Sequence, residues 1–517
     1  MYDLKKYFLK SINLITLFFF IWILSALCMA KKINYICKVD WKIGNIGLII
    51  IALCFLWLFI TNNKEKGVKK ININRLVFVV TIGVFFLEVY ICYKIFFETG
   101  WDSGGYIIPA ARTLLEKGDV TDLNNLYFKT YPNNLFLVNL YYVLLVINEK
   151  LGVFNSTYQL MIIVIINCAI SSISCWLVYL IAKRKVSTKY SLLGYVLTVV
   201  LVGLSPWNVI CYSDAIALFF PIFIIYIYTE NRICRCVKCF AVLIIGYLGY
   251  CVKPQVAIVI IAIVITELIK NLKKCKKEFL IRECVTVFCA IIVIVGFSVT
   301  LKNLYEKEGF IQDSNREFGL THFFMMGLNP ERGGVWAEED VETSMNCETA
   351  EQRKEKNIEV SKQRLNEYGV VGYAKFLTKK MLTNYNDGTF AWGVEGGFYY
   401  LMLQDNGKVS TFFKNIYYND GKYYGIYSQI VQFLWIVVLT GGGIATVYEF
   451  KNNKKEANYI TLQLCILGIT LFELLFEARA RYLYLYVPIY ILIYILKGDY
   501  IENYIGKLKN RLYYKCQ

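Results

Sequence analysis

Glu98–Asn134, ETGWDSGGYIIPAARTLLEKGDVTDLNNLYFKTYPNN, is the stretch on which the chain turns. One long apolar run ends just before it and another begins just after it. The stretch itself is polar and glycine-bearing. Asp102, inside WDSGGY, falls where a membrane-spanning helix should reach water. A carboxylate fixed at a membrane surface is a candidate for proton chemistry. On spacing alone a plainer reading ranks first, in which Asp102 caps a short helix over Tyr106–Lys117.

The composition sets the class. Of 517 residues, 57% are hydrophobic and 18% charged, against about 45–50% and about 25% in soluble domains. Mean hydropathy is +0.46. The expectation is an all-α polytopic membrane protein. A net charge of +17 would suggest nucleic acid in a soluble chain. Here the lysines and arginines fall in short clusters between apolar runs, the pattern of cytoplasmic loops, so no nucleic-acid partner is expected. There is one histidine, and the 17 cysteines lack metal-site spacing. Cys54, Cys168, Cys175 and Cys289 read as small buried hydrophobes. No metal and no cofactor are expected.

A span needs about 20 apolar residues. Twelve segments qualify, near 8–30, 44–62, 76–97, 157–182, 189–206, 214–230, 238–252, 254–270, 281–300, 428–448, 457–476 and 481–497. The first is long enough to be retained as a helix rather than cleaved as a signal. Basic clusters set the sidedness. They lie at Lys5–Lys10, Lys64–Arg75, Lys183–Lys189, Arg232–Lys238, Lys270–Lys277, Lys451–Lys455 and Lys507–Lys515. All fall inside if both termini are cytoplasmic. The apolar run Leu135–Ile147 then cannot cross and reads as a helix along, or dipping into, the outer interface. The loop Lys31–Lys42 is the misfit, placed outside with four lysines. The expected organisation follows. Residues 1–75 form an N-terminal helix pair, a candidate accessory unit. Residues 76–300 form the transmembrane core, with an outer loop over 98–156. Residues 301–427 form a small outer subdomain with a charged helix from Thr349 to Tyr368. Residues 428–500 supply the last spans, and 501–517 a basic cytoplasmic tail.

This topology brings several polar residues to the outer leaflet. They are Asp102, the SPWN and YSD turn with Asp214, Lys253 in KPQ, and Glu477, Arg479 and Arg481 in EARAR. Charges in or beside spans are costly and tend to be functional. Each also has a structural reading. Asp214 caps the sixth span, Lys253 snorkels from a helix end, and the arginines pair with Glu477. His322, in LTHFFMMGLNP, reads first as a structural hydrogen-bonding residue. Tyr482–Tyr490 reads as an interface belt, and Glu338-Glu339-Asp340 as a solvated acidic face before a cation site.

Taken together, WDSGGY, YPNN with its following amphipathic run, SPW…YSDA, VKPQ and RARYLYLYVP resemble membrane glycosyltransferases of the GT-C fold. They are closest in kind to bacterial members of the protein-mannosyltransferase-like (glycosyltransferase family 39-like) superfamily. THFFMMGLNP, GGVWAEED and NDGTFAWG resemble Gram-positive members. The resemblance covers residues 76 to 500. It implies a GT-C-type bundle and inverting transfer of a sugar from a polyprenyl-phosphate carrier to an envelope acceptor at the outer face. Asp102 takes the position of the family's catalytic aspartate, a general base for the acceptor hydroxyl. Lys253, Arg479 and Arg481 would hold the leaving lipid phosphate. Asp214, His322, Tyr106 and Glu477 would bind sugar or acceptor. Partners implied are the lipid-linked sugar, an acceptor polymer, lipid or protein, and a synthase making the donor. Asp102 is followed by Ser103, where eukaryotic members carry a second acidic residue, which weighs against a protein acceptor. Three alternatives stay open: a polytopic transporter or flippase, an envelope polysaccharide polymerase, and a non-catalytic assembly factor.

Overall fold

The structure is a computed structural model and describes residues 2–30, 43–61, 72–123, 126–271, 277–395, 407–451 and 457–515. Loop Lys31–Lys42 and the basic residues Lys64, Lys66, Lys69, Lys70, Lys273, Lys274, Lys276, Lys454 and Lys455 lie outside them. Among the described residues the chain forms helices and no strand. In order, the first are α1 (Tyr2–Met29), α2 (Asn45–Thr61), α3 (Ile73–Lys94), α4 (Ile108–Lys117), α5 (Leu126–Thr130), α6 (Leu135–Leu151), α7 (Met161–Lys183) and α8 (Thr188–Thr198). Next come α9 (Ser213–Ala217), α10 (Phe219–Thr229), α11 (Arg235–Val252), α12 (Ala257–Asn271), α13 (Lys277–Lys307), α14 (Leu320–Gly327), α15 (Glu338–Met345) and α16 (Ala350–Tyr385). The last are α17 (Trp392–Glu395), α18 (Lys408–Tyr417), α19 (Tyr424–Lys451), α20 (Ala457–Leu475), α21 (Arg481–Tyr484), α22 (Val487–Ile495) and α23 (Gly498–Lys515).

Eight of the described helices are long and apolar enough to cross a membrane. Shorter apolar helices occupy Asn45–Thr61, Thr188–Gly203 and Ser213–Thr229. The chain is thus an α-helical protein built for a bilayer, where each backbone polar group must be satisfied internally. The bundle has two chemically distinct ends. At one end, ion pairs join Arg184 to Glu230 at 2.7 Å, Lys189 to Glu502 at 3.0 Å, Arg235 to Glu267 at 2.7 Å and Lys497 to Glu449 at 2.9 Å. This is the basic end. The N-terminal part of α1 lies there too, with Lys10 over the Phe450 ring at 5.6 Å. The other end carries WDSGGY, KPQ and EARAR.

Pro132–Leu151 is also long and apolar enough to span, at 20 residues and hydropathy 1.2. Contacts with neighbouring segments hold both of its ends. Asn134 donates to the Tyr127 hydroxyl at 2.7 Å before it, and Asn148 clasps the backbone of Phe154 at 3.0 and 3.1 Å after it. Tyr158, just beyond, packs on Tyr93 and Phe96 at the end of α3. Helix α6 therefore begins and ends beside segments that flank WDSGGY, since Tyr127 stacks on Tyr106 and Tyr158 on Phe96.

The first two helices pack into the bundle: Gln463 donates to Asn13 at 2.8 Å, and Asn45 donates to Asn386 at 2.8 Å. Two expectations are corrected. The tyrosines of 482–490 are not an interface belt, since Tyr484, Tyr486 and Tyr490 are at most 1% exposed. Their hydroxyls reach Val202 O, Gln255 O and Tyr385 Oη, partners that a buried tyrosine hydroxyl needs. Of the cysteines, Cys168 and Cys175 are buried, while Cys54 and Cys289 face outward from apolar helices.

Only part of 301–427 stands apart from the bundle. The capping box at Thr349 starts α16, and the charged helix runs to Tyr368. Gly369 then breaks it at φ 55 and ψ −177. The second half of α16 enters the bundle, where Tyr385 packs on Trp435 and Trp22 donates to Thr378 at 3.2 Å.

Candidate functional site

WDSGGY is shaped by backbone constraints. Trp101 sits in the left-handed region at φ 52. Ser103–Ile107 forms a π-helical turn running into α4, a feature that recurs at functional sites. A Cβ on Gly104 would lie 1.8 Å from the Thr99 carbonyl oxygen, so only glycine fits. The Thr99 hydroxyl accepts from Cys211 N at 3.1 Å, and the Ser103 hydroxyl donates to Cys211 O. These bonds stitch the loop after α3 to the irregular segment before α9. Asn167 holds the same segment from α7, donating to Asn208 O at 3.1 Å and Ile210 O at 3.0 Å. Buried non-helical backbone is thereby satisfied by side chains.

The consequence is a convergence of residues distant in sequence. Asp102 is helical (φ −54, ψ −38) and makes no capping bond, which corrects the cap reading. Its Oδ2 instead accepts the Tyr212 hydroxyl at 3.1 Å. The Arg481 guanidinium lies 4.9 Å over the Trp101 ring and 5.5 Å over the rings of Tyr212 and Tyr482. Lys253 forms a 2.8 Å ion pair with Asp214, and its ammonium lies 4.6 Å over the Tyr482 ring. Neither Asp214 as cap nor Lys253 as snorkelling lysine holds, because the two are 2% and 5% exposed and face each other. Glu477 pairs with Arg479 at 2.7 Å, as the structural reading of that arginine expects, and accepts from Tyr482 at 2.9 Å.

Burial lowers the Lys253 ammonium below its ordinary value, opposed by the neighbouring Asp214. Burial pushes the Glu477 carboxyl up, but Arg479, Arg481 and the Tyr482 hydroxyl outweigh it and leave it low. Asp102 and Arg481 thus flank the Tyr212 side chain, while Lys253 and Arg479 are each ion-paired, to Asp214 and Glu477. Tyr106, 46% exposed, stacks on Tyr127 with ring centroids 4.0 Å apart. Tyr131 packs beside it, giving an aromatic wall one turn from Asp102.

His322 is not brought into this cluster. It is fully buried in the subdomain of α14–α16, its Nδ1 2.7 Å from the Ser344 hydroxyl and its ring 4.0 Å from that of Phe318. Ser344 donates onward to Asn357 Oδ1 at 3.0 Å, so Nδ1 carries the proton and Nε2 is left without a donor or acceptor. Burial lowers its pKa from 6.5 to about 4. The unfolded chain binds a proton between those values and the folded one does not, so stability falls as pH drops from 6.5 to about 4. The expected loss is about 3 kcal/mol. Hydrogen exchange over residues 315–368 at pH 7, 5 and 4 checks this; a His322→Gln variant should lack the step, and a flat wild-type profile would refute it.

The acidic run is only partly solvated. Glu338 and Glu339 are exposed, but Asp340 is 2% exposed and bound by Arg364 at 2.6 Å and Asn329 at 2.9 Å. No group of three or more His, Cys, Asp or Glu residues arranged to hold a metal ion occurs among the described residues. Sequence reasoning gave no site role to Trp101, Tyr127, Tyr131, Tyr212 or Tyr482, although WDSGGY holds the first and the YSD turn holds Tyr212. In a chain with 41 tyrosines nothing local marks out Tyr127, Tyr131 and Tyr482.

The helices, the satisfied loops and the buried charge cluster at one end define a multi-pass integral membrane protein. The chain belongs to the family described as conserved hypothetical integral membrane protein, whose model matches residues 4–500. No curated protein and no solved structure matches it.

Proposed function

We propose that this protein is a membrane glycosyltransferase of GT-C type that moves a sugar from a polyprenyl-phosphate donor to an envelope acceptor. One observation carries the reading. Asp102 and Arg481, remote in sequence, meet on the Tyr212 side chain, the first at 3.1 Å from its hydroxyl and the second 5.5 Å from its ring centre. An acceptor hydroxyl is a poor nucleophile and needs a base as the new bond forms. The leaving group is a lipid phosphate, which needs cations held in a dry site. Asp102 serves as the base. Arg481, Arg479 and Lys253 serve the phosphate, Arg through its planar fork. Tyr106 and the tyrosines beside it offer a face for the sugar, and Asp214 and Glu477 hold the cations in place. The basic end is cytoplasmic by the distribution of lysine and arginine, which puts both termini inside and the cluster on the outer surface. A lipid donor explains why the site lies at the end of a bundle of apolar helices.

The test is mass spectrometry of envelope polymers from cells with and without the protein, joined to transfer from a polyprenyl-phosphate hexose in proteoliposomes. Loss of one sugar decoration together with transfer in vitro is expected. Transbilayer movement of the lipid with no transfer would replace the proposal with a flippase. Products of many sugar units would replace it with a polymerase.

A further inference from the structure

The segment carrying Arg479 and Arg481 has no regular structure from Glu477 to Arg479. Something outside it must set its path. Three contacts do so, from the loop between α14 and α15 and from the second half of α16. Lys380, on the second half of α16 and fully buried, donates to Phe476 O at 2.5 Å and to Gly327 O at 2.7 Å. Ala478 N donates to Gly334 O at 2.8 Å. The Gly327 backbone is pressed so close that a Cβ there would lie 2.5 Å from Phe476 O. Gly334, at φ 77, would place a Cβ 2.7 Å from Gly327 O and 2.9 Å from Lys380 Cε. The loop between α14 and α15 thus lies backbone to backbone on the end of α20, and Lys380 is the rivet through both.

We infer that Lys380 is a positioning residue for the anion site, clamping the subdomain onto residues 476–478 and so fixing where Arg479 and Arg481 point. The inference rests on the reading of those arginines as phosphate ligands. Charge-assisted donation to two carbonyls is stronger than donation from a neutral amine. The groups facing Lys380 are these two carbonyls, the Phe376 ring at 5.8 Å, and the carboxylates of Glu473 and Glu477, which act on it through space. Burial lowers the Lys380 ammonium to about 7, so the clamp is set to loosen as pH rises through neutrality.

The experiment follows amide exchange at 476–482, as protection factors, together with binding of undecaprenyl phosphate to the full-length protein in nanodiscs. In Lys380→Met, exchange at 476–482 and 327–334 is expected to rise at least about tenfold, with 210–214 unchanged, and lipid-phosphate affinity to fall about tenfold. Lys380→Arg, which stays charged, should recover most of both. The wild type alone supplies an arm that needs no variant to fold: protection at 476–482 should fall as pH rises from 6 to 8.5 and should not fall in Lys380→Arg. Unchanged exchange in Lys380→Met overturns the clamp, and a flat wild-type profile overturns its loosening with pH. Wild-type protein that binds no undecaprenyl phosphate overturns the phosphate reading instead, while the exchange data still judge the clamp.

Discussion

Asp102→Asn is expected to lower sugar transfer by about 10²–10⁴-fold, the usual contribution of a general base, with folding and lipid-phosphate binding intact. Asparagine has nearly the same shape and its carbonyl can still accept the Tyr212 hydroxyl, now at 3.1 Å from Oδ2. Ser103 and Gly104, which set the turn, are untouched. What is lost is the capacity to take a proton from the acceptor. The measurement is the initial rate with a polyprenyl-phosphate hexose in proteoliposomes, beside affinity for undecaprenyl phosphate. A variant within about threefold of wild type would show that Asp102 is not the base, and tolerance of this kind is what a transporter should display.

Lys253→Met is expected to destabilise the protein by about 3–5 kcal/mol, because it leaves a buried carboxylate without its counter-charge. Asp214 is 2% exposed and its ion pair with Lys253 measures 2.8 Å. Adding Asp214→Asn should restore much of that stability, since the orphaned charge is then gone. Thermal unfolding of both single variants and the double variant forms the cycle that isolates the pair. Strictly additive losses would mean that the two side chains do not interact. If Lys253 holds the phosphate as proposed, the double variant should still bind lipid phosphate poorly, which separates that role from its role in the fold.

Much of this architecture is legible in the residues because a bilayer is an unforgiving solvent. Runs of apolar residues long enough to cross must be helices, and clusters such as Lys183–Lys189 and Arg232–Lys238 mark one end of the bundle. The end of the charged stretch begun at Thr349 falls at Tyr368, next to Gly369, where the backbone breaks the helix. Asp102, Lys253 and Arg481 stand out for a related reason: charge beside an apolar span is costly and therefore rare.

Pairing and burial are not written locally. Whether Asp102 caps a helix or faces Tyr212 depends on where Cys211 and Thr99 are stitched together, about one hundred residues apart in sequence. Whether Tyr484 and Tyr490 line an interface or a core depends on which helices enclose them, since tyrosine suits both places. Lys380 looks like one surface lysine among many until Gly327 and Phe476 close over it. Composition and spacing settled that this is a helical membrane protein with charge gathered between spans. Which of those charges meet, and which tyrosines stand among them, was decided only by tertiary packing, because a side chain's partner in a bundle is set by helix neighbours and not by its position in the chain.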